Sequence, residues 1–529
     1  MLIGMPAAGK STVGAAVAQR LGRAYIDVDA RIVQTTGLNP ADLLRRQGEP
    51  AFRLVESAAL EDTLASEASV ISTGGGAPAF HNGFERMAAA GTVVWLDAPV
   101  AVLAQRTLAD GDRPLLGDTR QEQEAALRAL ASARLPTYAR AHVRVDAAQP
   151  LERVVRDVCR AWQGPQVLDV PGGQVAIHGG HVCDAAQRLR ELAGAGRIVL
   201  IVERELAQEA AKLAEMLQAR GTAVVTLAVP GGEKSKDLRH CQALWQQLGE
   251  QGIDRGDLLV TIGGGATNDL GGFVAATWLR GVAVVHMPTT VLAMADASVG
   301  GKTAINTAQG KNLVGAFHLP KLTWLALASL DTLPGREWRA GLAEIAKIFA
   351  CLDADAWHAL VRDASRLRAR HAEDLRPHLT RAIALKAEIV QEDPRDQGRR
   401  ALLNFGHTLG HAIEAQSRYA MRHGEAVALG MVAAAEVSEA QGWAPPGTAA
   451  EIRAGLQALG LPVDYEAHVT PDVTARLGSD KKARGGQMAF VALAGLGQAH
   501  VRTCSTEQLS DILSVLASVA EPAGCRRSP

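Results

Sequence analysis

Short apolar runs alternate with amphipathic stretches up to about Leu330. This alternation predicts parallel β-sheets with helices on both faces. The predicted strands are Ala24–Asp29, Val70–Thr73, Thr92–Leu96, Ile198–Val202, Ala223–Val229, Leu258–Ile262 and Val282–His286. Helices are predicted at Thr12–Leu21 and 151–162, where apolar residues recur at helical spacing. From Leu330 through Gln441 long helical stretches predominate.

The pattern divides the chain into an α/β unit, a second α/β unit and a mostly α-helical unit. Gln163-Gly-Pro-Gln166 interrupts the helical pattern and is the first predicted boundary. The predicted division is domain 1–162, linker 163–166, domain 167–329, domain 330–520 and a frayed tail at 521–529.

Composition narrows the function classes. The 529 residues carry a formal net charge of −1, which gives no electrostatic case for binding nucleic acid or an anionic membrane. No apolar run reaches the roughly 18 residues of a membrane span, and no export segment is recognisable. The six cysteines include no C-x-x-C pair, so neither a cysteine zinc site nor a disulfide framework is indicated. We expect a cytoplasmic protein.

A phosphate-binding loop stands at the start of the chain. Gly4-Met-Pro-Ala-Ala-Gly9-Lys10-Ser11 matches G-x-x-x-x-G-K-[ST], whose backbone N–H groups surround phosphates. Lys10 supplies a charge for the β- and γ-phosphates, and the Ser11 hydroxyl can ligate Mg²⁺. Only Met1–Ile3 precede the loop, whereas a strand usually has about five or six residues. Either the first strand is short or the true start lies upstream.

Further polar residues in the first unit suggest a small hydroxy-carboxylate as the substrate. Asp27 and Asp29 come at the end of a predicted strand, where ligands collect in open parallel sheets. Arg53, Arg113 and Arg134 could hold a carboxylate through their guanidinium forks. Taken singly, each of these side chains could equally be a solvated surface group.

In combination, the motifs of residues 1–160 resemble shikimate kinase: the loop, Asp-x-Asp, Phe-Arg-x-x-Glu, Gly-Gly-Gly, Arg-Pro-Leu-Leu and Arg-x-Pro-x-Tyr. The resemblance implies ATP and Mg²⁺ as cofactors. The ATP site would include Gly4, Gly9, Lys10, Ser11 and Thr12, and Ser11 and Asp27 would support the metal. Asp29 would bind the shikimate hydroxyls, perhaps as base; Arg53 and Arg134 would bind its carboxylate; Gly75 and Gly76 would approach the ring. Arg113 would stabilise the transferred phosphoryl group. Ala8 stands where this family often has glycine.

The second unit carries glycine-rich turns that could bind anions. Pro230–Lys236 and Gly263–Gly272 lie at predicted strand ends, although neither is a G-x-G-x-x-G fingerprint. Glu203, at the end of a strand, could bind a ribose hydroxyl or simply be solvated. Lysines within later glycine-rich loops suggest a phosphorylated or acidic ligand.

The third unit contains a possible metal site. His407 and His411 are four residues apart on one predicted helix face, and His423 follows. With a distant carboxylate such as Glu344 they can form a three-ligand site with an open position, as catalytic zinc requires. Spacing alone favours structural or exposed histidines over a metal site.

Residues 166–515 resemble 3-dehydroquinate synthase through PGGExxK, GGG…DLGG, the Arg280-Gly281 pair, PTT, DxSVGGK, GKN, GLAExxK, LNxGHTxGHAIE and HGEAV. The resemblance implies a Rossmann-like NAD-binding domain followed by a mostly helical metal-binding domain. It implies Zn²⁺ or Co²⁺ on Glu344, His407 and His423. His411 would be a substrate or proton-relay residue and not a ligand.

The NAD site would comprise Glu203, Glu233, Lys236, Gly264, Gly265, Asp269, Thr289, Thr290, Asp296, Lys302, Lys311 and Asn312. The substrate would meet Arg280, Lys302, Asn312, Lys347, Lys386, Arg400, Asn404 and Lys481, with Lys302, Lys347, Lys386 and His411 catalytic.

The two resemblances together predict a bifunctional shikimate-pathway enzyme acting on small molecules, dimeric through its second half. It would phosphorylate shikimate and convert 3-deoxy-D-arabino-heptulosonate 7-phosphate to 3-dehydroquinate. One alternative makes the first unit a kinase-derived interaction module, impaired by its short first strand. Another makes the second half a different sugar-phosphate cyclase or a polyol dehydrogenase. Departures from the synthase pattern are Asn268, Ala326 and Asp393-Pro394.

Overall fold

The computed structural model describes residues 1–66, 69–110, 119–162, 164–297, 299–417, 420–477 and 487–520. Two of the predicted site residues, Arg113 and Lys481, lie outside the described residues, as do the predicted tail 521–529 and Gln163 of the predicted linker.

The first unit is a five-stranded parallel sheet in the order β2-β3-β1-β4-β5, with helices around it. Its strands are β1 Leu2–Ile3, β2 Ala24–Asp27, β3 Ser69–Ser72, β4 Val94–Asp97 and β5 Val143–Asp146. Its helices are α1 Lys10–Leu21, α2 Val28–Thr36, α3 Pro40–Leu64, α4 Gly83–Ala90, α5 Val100–Asp110, α6 Arg120–Tyr138 and α7 Leu151–Trp162.

The two-residue strand β1 lies at the centre of this sheet. Leu2 pairs with Ser72 on one side and with Val94 on the other, and Ile3 pairs with Trp95. Both side chains are buried, at 1% and 0% exposure. Short as it is, β1 is held by neighbours on both sides and leads directly into the phosphate-binding loop.

The predicted strand Ala24–Asp29 is too long by two residues. The strand ends at Asp27, whose side chain accepts a hydrogen bond from the Asp29 backbone N–H at 2.9 Å. Asp27 is thus the N-cap of α2, and Asp29 lies in the first helical turn. An aspartate that satisfies an otherwise unpaired amide starts a helix, and this overrides the β-propensity of the preceding residues.

The second unit is a seven-stranded sheet in the order β6-β7-β14-β11-β10-β8-β9, parallel except for β6 against β7. Its strands are β6 Gln166–Val170, β7 Gly173–His178, β8 Ile198–Glu203, β9 Val224–Val229, β10 Leu258–Gly263, β11 Ala283–Pro288 and β14 Leu322–Ala326; β12 Lys302–Thr307 and β13 Gly310–Phe317 form a separate hairpin. Its helices are α8 Ala186–Ala193, α9 Ala207–Gln218, α10 Leu238–Glu250 and α11 Gly265–Thr277. The four strands predicted here, from Ile198 to His286, are confirmed. Strands β6, β7, β12, β13 and β14 were not predicted.

The third unit is helical with one hairpin. Its helices are α12 Gly335–Leu352, α13 Ala354–Arg362, α14 Ala364–Arg368, α15 Ala372–Glu392, α16 His407–Gln416, α17 His423–Ala440, α18 Thr448–Ala458, α19 Pro471–Leu477 and α20 Thr506–Ala520. The antiparallel hairpin β15 Gln487–Gly495 and β16 Gln498–Ser505 was not predicted. It buries Met488, Phe490, Val491 and Leu493 in the core shared with the helices.

Within the described residues, no helix is both long and apolar enough to cross a membrane. The described cysteines, Cys159, Cys183, Cys241, Cys351 and Cys504, are free thiols. This agrees with the absence of a disulfide framework in the sequence.

The central position of β1 leads to a stability prediction. Because Ile3 is fully buried, Ile3→Ala should lower the free energy of unfolding of the first unit by about 2–5 kcal/mol. Pulse proteolysis across a urea gradient would measure this change. The control, Val33→Ala, alters a side chain that is 41% exposed and should change stability by less than about 0.5 kcal/mol. Equal midpoints for the two variants would contradict the prediction.

Candidate active sites

The phosphate-binding loop joins β1 to the N-terminus of α1. Gly9 caps the helix at φ 87°, a left-handed conformation that favours glycine. The Lys10 ammonium donates hydrogen bonds to the carbonyls of Gly4 and Met5, both at 3.0 Å. The lysine is therefore folded across the loop, next to the helix end where an anion is favoured.

Asp27 is held charged beside the loop. Its carboxylate accepts hydrogen bonds from Ser11 Oγ at 2.8 Å, Ser72 Oγ at 2.9 Å and the Tyr25 hydroxyl at 3.0 Å. Burial favours the protonated acid, but the hydrogen bonds outweigh it and lower the pKa of Asp27. A charged carboxylate next to a serine hydroxyl suits Mg²⁺, a hard cation that binds oxygen ligands.

The three consecutive glycines after β3 bring the predicted substrate residues together. A Cβ atom on Gly76 would lie 2.2 Å from Arg53 Nη1, and one on Gly75 would lie 3.0 Å from Arg134 Nη1. On Gly74 it would lie 3.3 Å from Asp29 Oδ1. The loop can approach both guanidinium groups and the aspartate because it has no side chains there.

Glu56 belongs to this cluster but was not predicted as a site residue. It pairs with Arg53 at 2.6 Å between Oε2 and Nη1, and both side chains are buried. Burial raises the pKa of Glu56, and Arg53 opposes that rise. The pairing fixes the direction of the Arg53 fork. The sequence could have indicated this pair, because Arg53 and Glu56 are three residues apart in Phe-Arg-x-x-Glu, a spacing typical of neighbours on a helix face.

Tyr138 ties the end of α6 to the loops of the site. Its hydroxyl donates to the Gly75 carbonyl and, at 3.3 Å, to the Gly4 carbonyl. The side chain is completely buried, and burial raises its pKa to about 12. The same helix carries Arg134 one turn earlier.

In the second unit, Glu203 closes β8 against the N-terminus of α11. Its Oε1 accepts hydrogen bonds from the Gly264 N–H at 2.8 Å and from Thr267 Oγ1 at 2.7 Å. Thr289, which follows β11, donates its N–H to the Gly263 carbonyl at 3.0 Å. The ends of three neighbouring strands, β8, β10 and β11, therefore meet here, where ligands bind in open α/β sheets.

A buried lysine joins two further predicted cofactor residues. Lys236 contacts Asp269 and Asn312, and Asn306 donates to Glu233 at 2.6 Å. Burial raises the pKa of Asp269 to about 6, although Lys236 opposes the rise. Turn 230–236, helix α11 and hairpin β12–β13 thus contribute to one cluster of polar side chains.

Close helix packing creates the metal candidate. A Cβ atom on Gly430 would lie 1.9 Å from the Gly406 carbonyl, so α17 approaches the start of α16 closely. On Gly424 it would lie 1.8 Å from the Ala340 carbonyl, so α17 also approaches α12. Helix α12 carries Glu344, while His407 and His423 are the first residues of α16 and α17.

The three predicted ligands converge. Glu344 Oε1 lies 3.4 Å from His423 Nε2 and 3.8 Å from His407 Nε2. This oxygen is buried and has no hydrogen-bond partner among the described residues. Burial, reinforced by Lys347, holds the pKa of His407 well below its usual value and keeps the imidazole neutral, as a ligand must be. An orphaned carboxylate oxygen facing two imidazole nitrogens fits a divalent metal.

His411 stands on the open side of this group. Nitrogen atoms of His407, His411 and His423 lie within 4.8 Å of one another, so geometry permits a third imidazole near the same point. His411 is exposed whereas His407 is buried. Its exposure is compatible with the predicted contact to substrate.

Glu414 contacts a predicted metal ligand and was not itself predicted as a site residue. Its carboxylate contacts His423 Nδ1 at 3.0 Å and accepts from Lys311 at 2.8 Å. A carboxylate on the distal nitrogen fixes the tautomer and orientation of a metal-binding histidine. The sequence could have indicated Glu414, because it is the final residue of the His-Ala-Ile-Glu motif.

The predicted substrate lysines lie beside the metal candidate. Lys347 pairs with Glu344, and both are buried; Lys386, also buried, pairs with Asp296, whose side chain is partly exposed. Burial favours protonation of Asp296, but Lys386 and Lys347 lower its pKa to about 2.

Three further predicted substrate residues have partners of their own. Arg400 is buried and donates to the Gly300 carbonyl at 3.1 Å, and Asn404 donates to the Ala401 carbonyl at 3.0 Å. Lys302 pairs with Asp396. Asp396 was not predicted as a site residue.

Arg280 is a further predicted substrate residue, and its role in substrate binding stays a prediction. Arg280 follows the far end of α11, opposite Gly264. The helix separates the two by about 20 Å at the standard rise per residue. Arg280 is exposed at a left-handed φ of 66°.

Comparisons with known proteins match both halves. Family models for 3-dehydroquinate synthase match residues 226–340 (N-terminal) and 341–483 (C-terminal), and a shikimate kinase model matches residues 6–163. The 3-dehydroquinate synthase of Pseudarthrobacter chlorophenolicus is 44% identical over 57% of this chain and 83% of its own length. The chain belongs to the 3-dehydroquinate synthase family. It joins this synthase to a domain of the shikimate kinase family, and we call residues 1–162 the kinase half and 164–520 the synthase half.

Solved structures share the fold of the synthase half. A 2-deoxy-scyllo-inosose synthase complexed with carbaglucose-6-phosphate, NAD⁺ and Co²⁺ is 23% identical, with a TM-score of 0.59 over 66% of this chain and 100% of its own. A 2-epi-5-epi-valiolone synthase from Streptomyces hygroscopicus with NAD⁺ and Zn²⁺ bound is 23% identical, with a TM-score of 0.60 over 67% of this chain and 99% of its own.

Glu414 provides a test of the metal candidate in the synthase half. Glu414→Gln should weaken metal binding about 10- to 100-fold, because His423 loses the carboxylate that orients it. Chelator competition with metal content measured by atomic spectroscopy would show the loss. The control, Glu451→Gln, alters an exposed glutamate that also pairs with a histidine, His358, at 2.8 Å. Equal metal retention in the two variants would rule out this role for Glu414.

Proposed function

We propose that the chain is a bifunctional enzyme of the shikimate pathway. Its synthase half converts 3-deoxy-D-arabino-heptulosonate 7-phosphate to 3-dehydroquinate and phosphate, and its kinase half transfers a phosphoryl group from ATP to shikimate. The observation that carries the synthase proposal is the convergence of Glu344, His407 and His423 beside Lys347. Family membership names the reaction that this arrangement serves.

The donor set supports Zn²⁺ or Co²⁺ on Glu344, His407 and His423, and the cleft between β8 and α11 supports NAD⁺. Two proteins of the same fold bind NAD⁺ with one of these metals. A metal bound there would acidify a substrate hydroxyl and so assist its oxidation. The substrate would be oxidised and reduced again within one turnover, leaving no net redox change.

The other residues of the synthase half bind and orient. Lys386 and Arg400 are buried cations next to the metal candidate and would hold the anionic groups of the substrate. Lys347 keeps Glu344 charged, and His411, on the open side, would pass a proton. Asn404, together with Lys302 and Asn312 of the β12–β13 hairpin, would also bind the substrate.

In the kinase half, Lys10 and the loop amides would bind the phosphates of ATP, with Mg²⁺ beside Ser11 and Asp27. Arg53 and Arg134 would hold the shikimate carboxylate, and Asp29 would meet the hydroxyl that is phosphorylated. Pairing of β1 on both sides argues against the alternative of an impaired module.

The proposal includes a cytoplasmic location and a homodimer through the synthase half. Free thiols throughout the described residues suit a reducing compartment. The domain limits proposed are 1–162, 167–329 and 330–520, although β6 already begins at Gln166.

Two variants test the two activities separately. Lys10→Ala should lower shikimate-dependent ADP release at least about 100-fold, because the protein loses the positive charge that stabilises the transferred phosphoryl group. His407→Ala should abolish phosphate release from the heptulosonate phosphate and leave ADP release intact. Each variant is the control for the other, since the two residues lie in different halves. ADP release that survives Lys10→Ala would refute the kinase assignment.

A second experiment separates a synthase from a dehydrogenase of similar fold. The full chain with NAD⁺, metal and the heptulosonate phosphate should release one phosphate per substrate without accumulating absorbance of NADH. A polyol dehydrogenase would accumulate NADH in proportion to product and release no phosphate. Continuous recording of both signals in one cuvette distinguishes these outcomes.

A further inference from the structure

The synthase half contacts the kinase half at the end of a kinase helix. Arg220 follows α9 and donates to the carbonyls of Ala139 at 3.1 Å, Arg140 at 2.9 Å and Ala141. These carbonyls lie at and just beyond the C-terminus of α6. Arg220 also donates to the Met216 carbonyl of its own helix at 2.7 Å. One guanidinium therefore joins the ends of two helices from different halves.

The chemistry of helix ends makes this contact favourable. The last carbonyls of a helix have no partner within it and carry partial negative charge. A planar guanidinium with five donors can satisfy several of them at once. Burial lowers the pKa of Arg220 to about 10, and the group remains charged at neutral pH.

Helix α6 carries the shikimate-binding candidates. Arg134 reaches Gly75, and Tyr138, one turn later, is hydrogen-bonded to the carbonyls of Gly75 and Gly4. Arg134 and Tyr138 lie on the same helix face, four residues apart. A shift at the end of α6 would therefore move the Arg134 guanidinium relative to the glycine loop.

Other contacts between the halves involve α7 and β5 instead of α6. From α7, Arg153 lies 3.5 Å from Asp331 and Arg160 lies 3.5 Å from Glu373. Arg144 pairs with Glu215 at 2.6 Å, and its backbone N–H donates to Asp184, which is buried. Strand β5 is an edge of the kinase sheet, and Asp184 covers one of its amides. Strand β5 contributes no predicted substrate residue, so weakening a contact to β5 is a control for removing the contact of Arg220 with α6.

We propose that Arg220 is a positioning residue of the kinase site, through which the synthase half orders the carboxylate-binding end of α6. The inference rests on the proposed kinase activity. It makes the shikimate site dependent on a residue more than 50 positions beyond the kinase half, at the far side of the linker.

The test is steady-state kinetics of the full chain with Arg220→Ala. KM for shikimate should rise about three- to tenfold, the loss expected when a charged helix-end contact is removed. KM for ATP and kcat should stay within about twofold, because β1 and α1 hold the phosphate-binding loop in addition to the contact of Tyr138 with Gly4. Synthase turnover should not change.

Two controls separate positioning from general destabilisation. Arg188→Ala removes an exposed arginine that pairs with Glu191 within the synthase half, at 3.2 Å. Glu215→Gln weakens the contact to β5 without touching α6. Neither should change KM for shikimate. If Arg220→Ala does not yield folded protein, Arg220→Gln is judged by the same ratio of the two KM values.

The outcomes are distinct. Absence of shikimate-dependent ADP release in the unaltered chain would refute the proposed kinase function. An active chain in which the Arg220 variant keeps its KM for shikimate would overturn the inference alone. So would a variant in which KM for ATP and kcat deteriorate as much as KM for shikimate, since that pattern marks general damage.

Discussion

Glu344 is completely buried, and the ammonium of Lys347 keeps its carboxylate charged in surroundings that favour the neutral acid. Removing a charge from water is costly, and the cost is offset only when an opposite charge lies close. The same constraint governs Asp296 with Lys386 and Glu56 with Arg53. Both candidate sites consist of charges that depend on each other, and an anionic substrate must compete for the same cations.

Each site nevertheless draws on several elements. The two carboxylates of the synthase site come from α12 and from the segment after β11, and their lysines come from α12 and α15. In the kinase half, Arg53 and Glu56 share α3, whereas Arg134 comes from α6. Side chains from separate elements meet only where the backbone allows close approach, as it does at Gly424, Gly430 and Gly76.

The contacts between the two halves include charged groups, such as Arg144 with Glu215 and Arg160 with Glu373. The product proposed for the synthase half and the substrate proposed for the kinase half are different compounds, so a common channel would have no chemical purpose. A contact that orders a helix end is a different kind of coupling, because it acts on binding geometry and needs no shared intermediate. Arg220 is placed to provide such coupling.

Much of the chemistry was readable from the sequence. The phosphate-binding loop, the histidine pair at helical spacing and the apolar runs from Ile198 to His286 each report local constraints, so they predicted ATP, a metal candidate and central strands. Edge strand β6 and the hairpins β12–β13 and β15–β16 escaped prediction because their residues are partly exposed and owe their conformation to pairing partners elsewhere.

The sequence by itself determined which residue types are present for each site and roughly where along the chain they stand. Only the tertiary structure decided that Glu56 and Glu414 hold other site residues in place, that Asp29 belongs to a helix and that Arg220 reaches the kinase half. Each of these depends on contacts across long stretches of chain or on a local cap, and no periodicity records them.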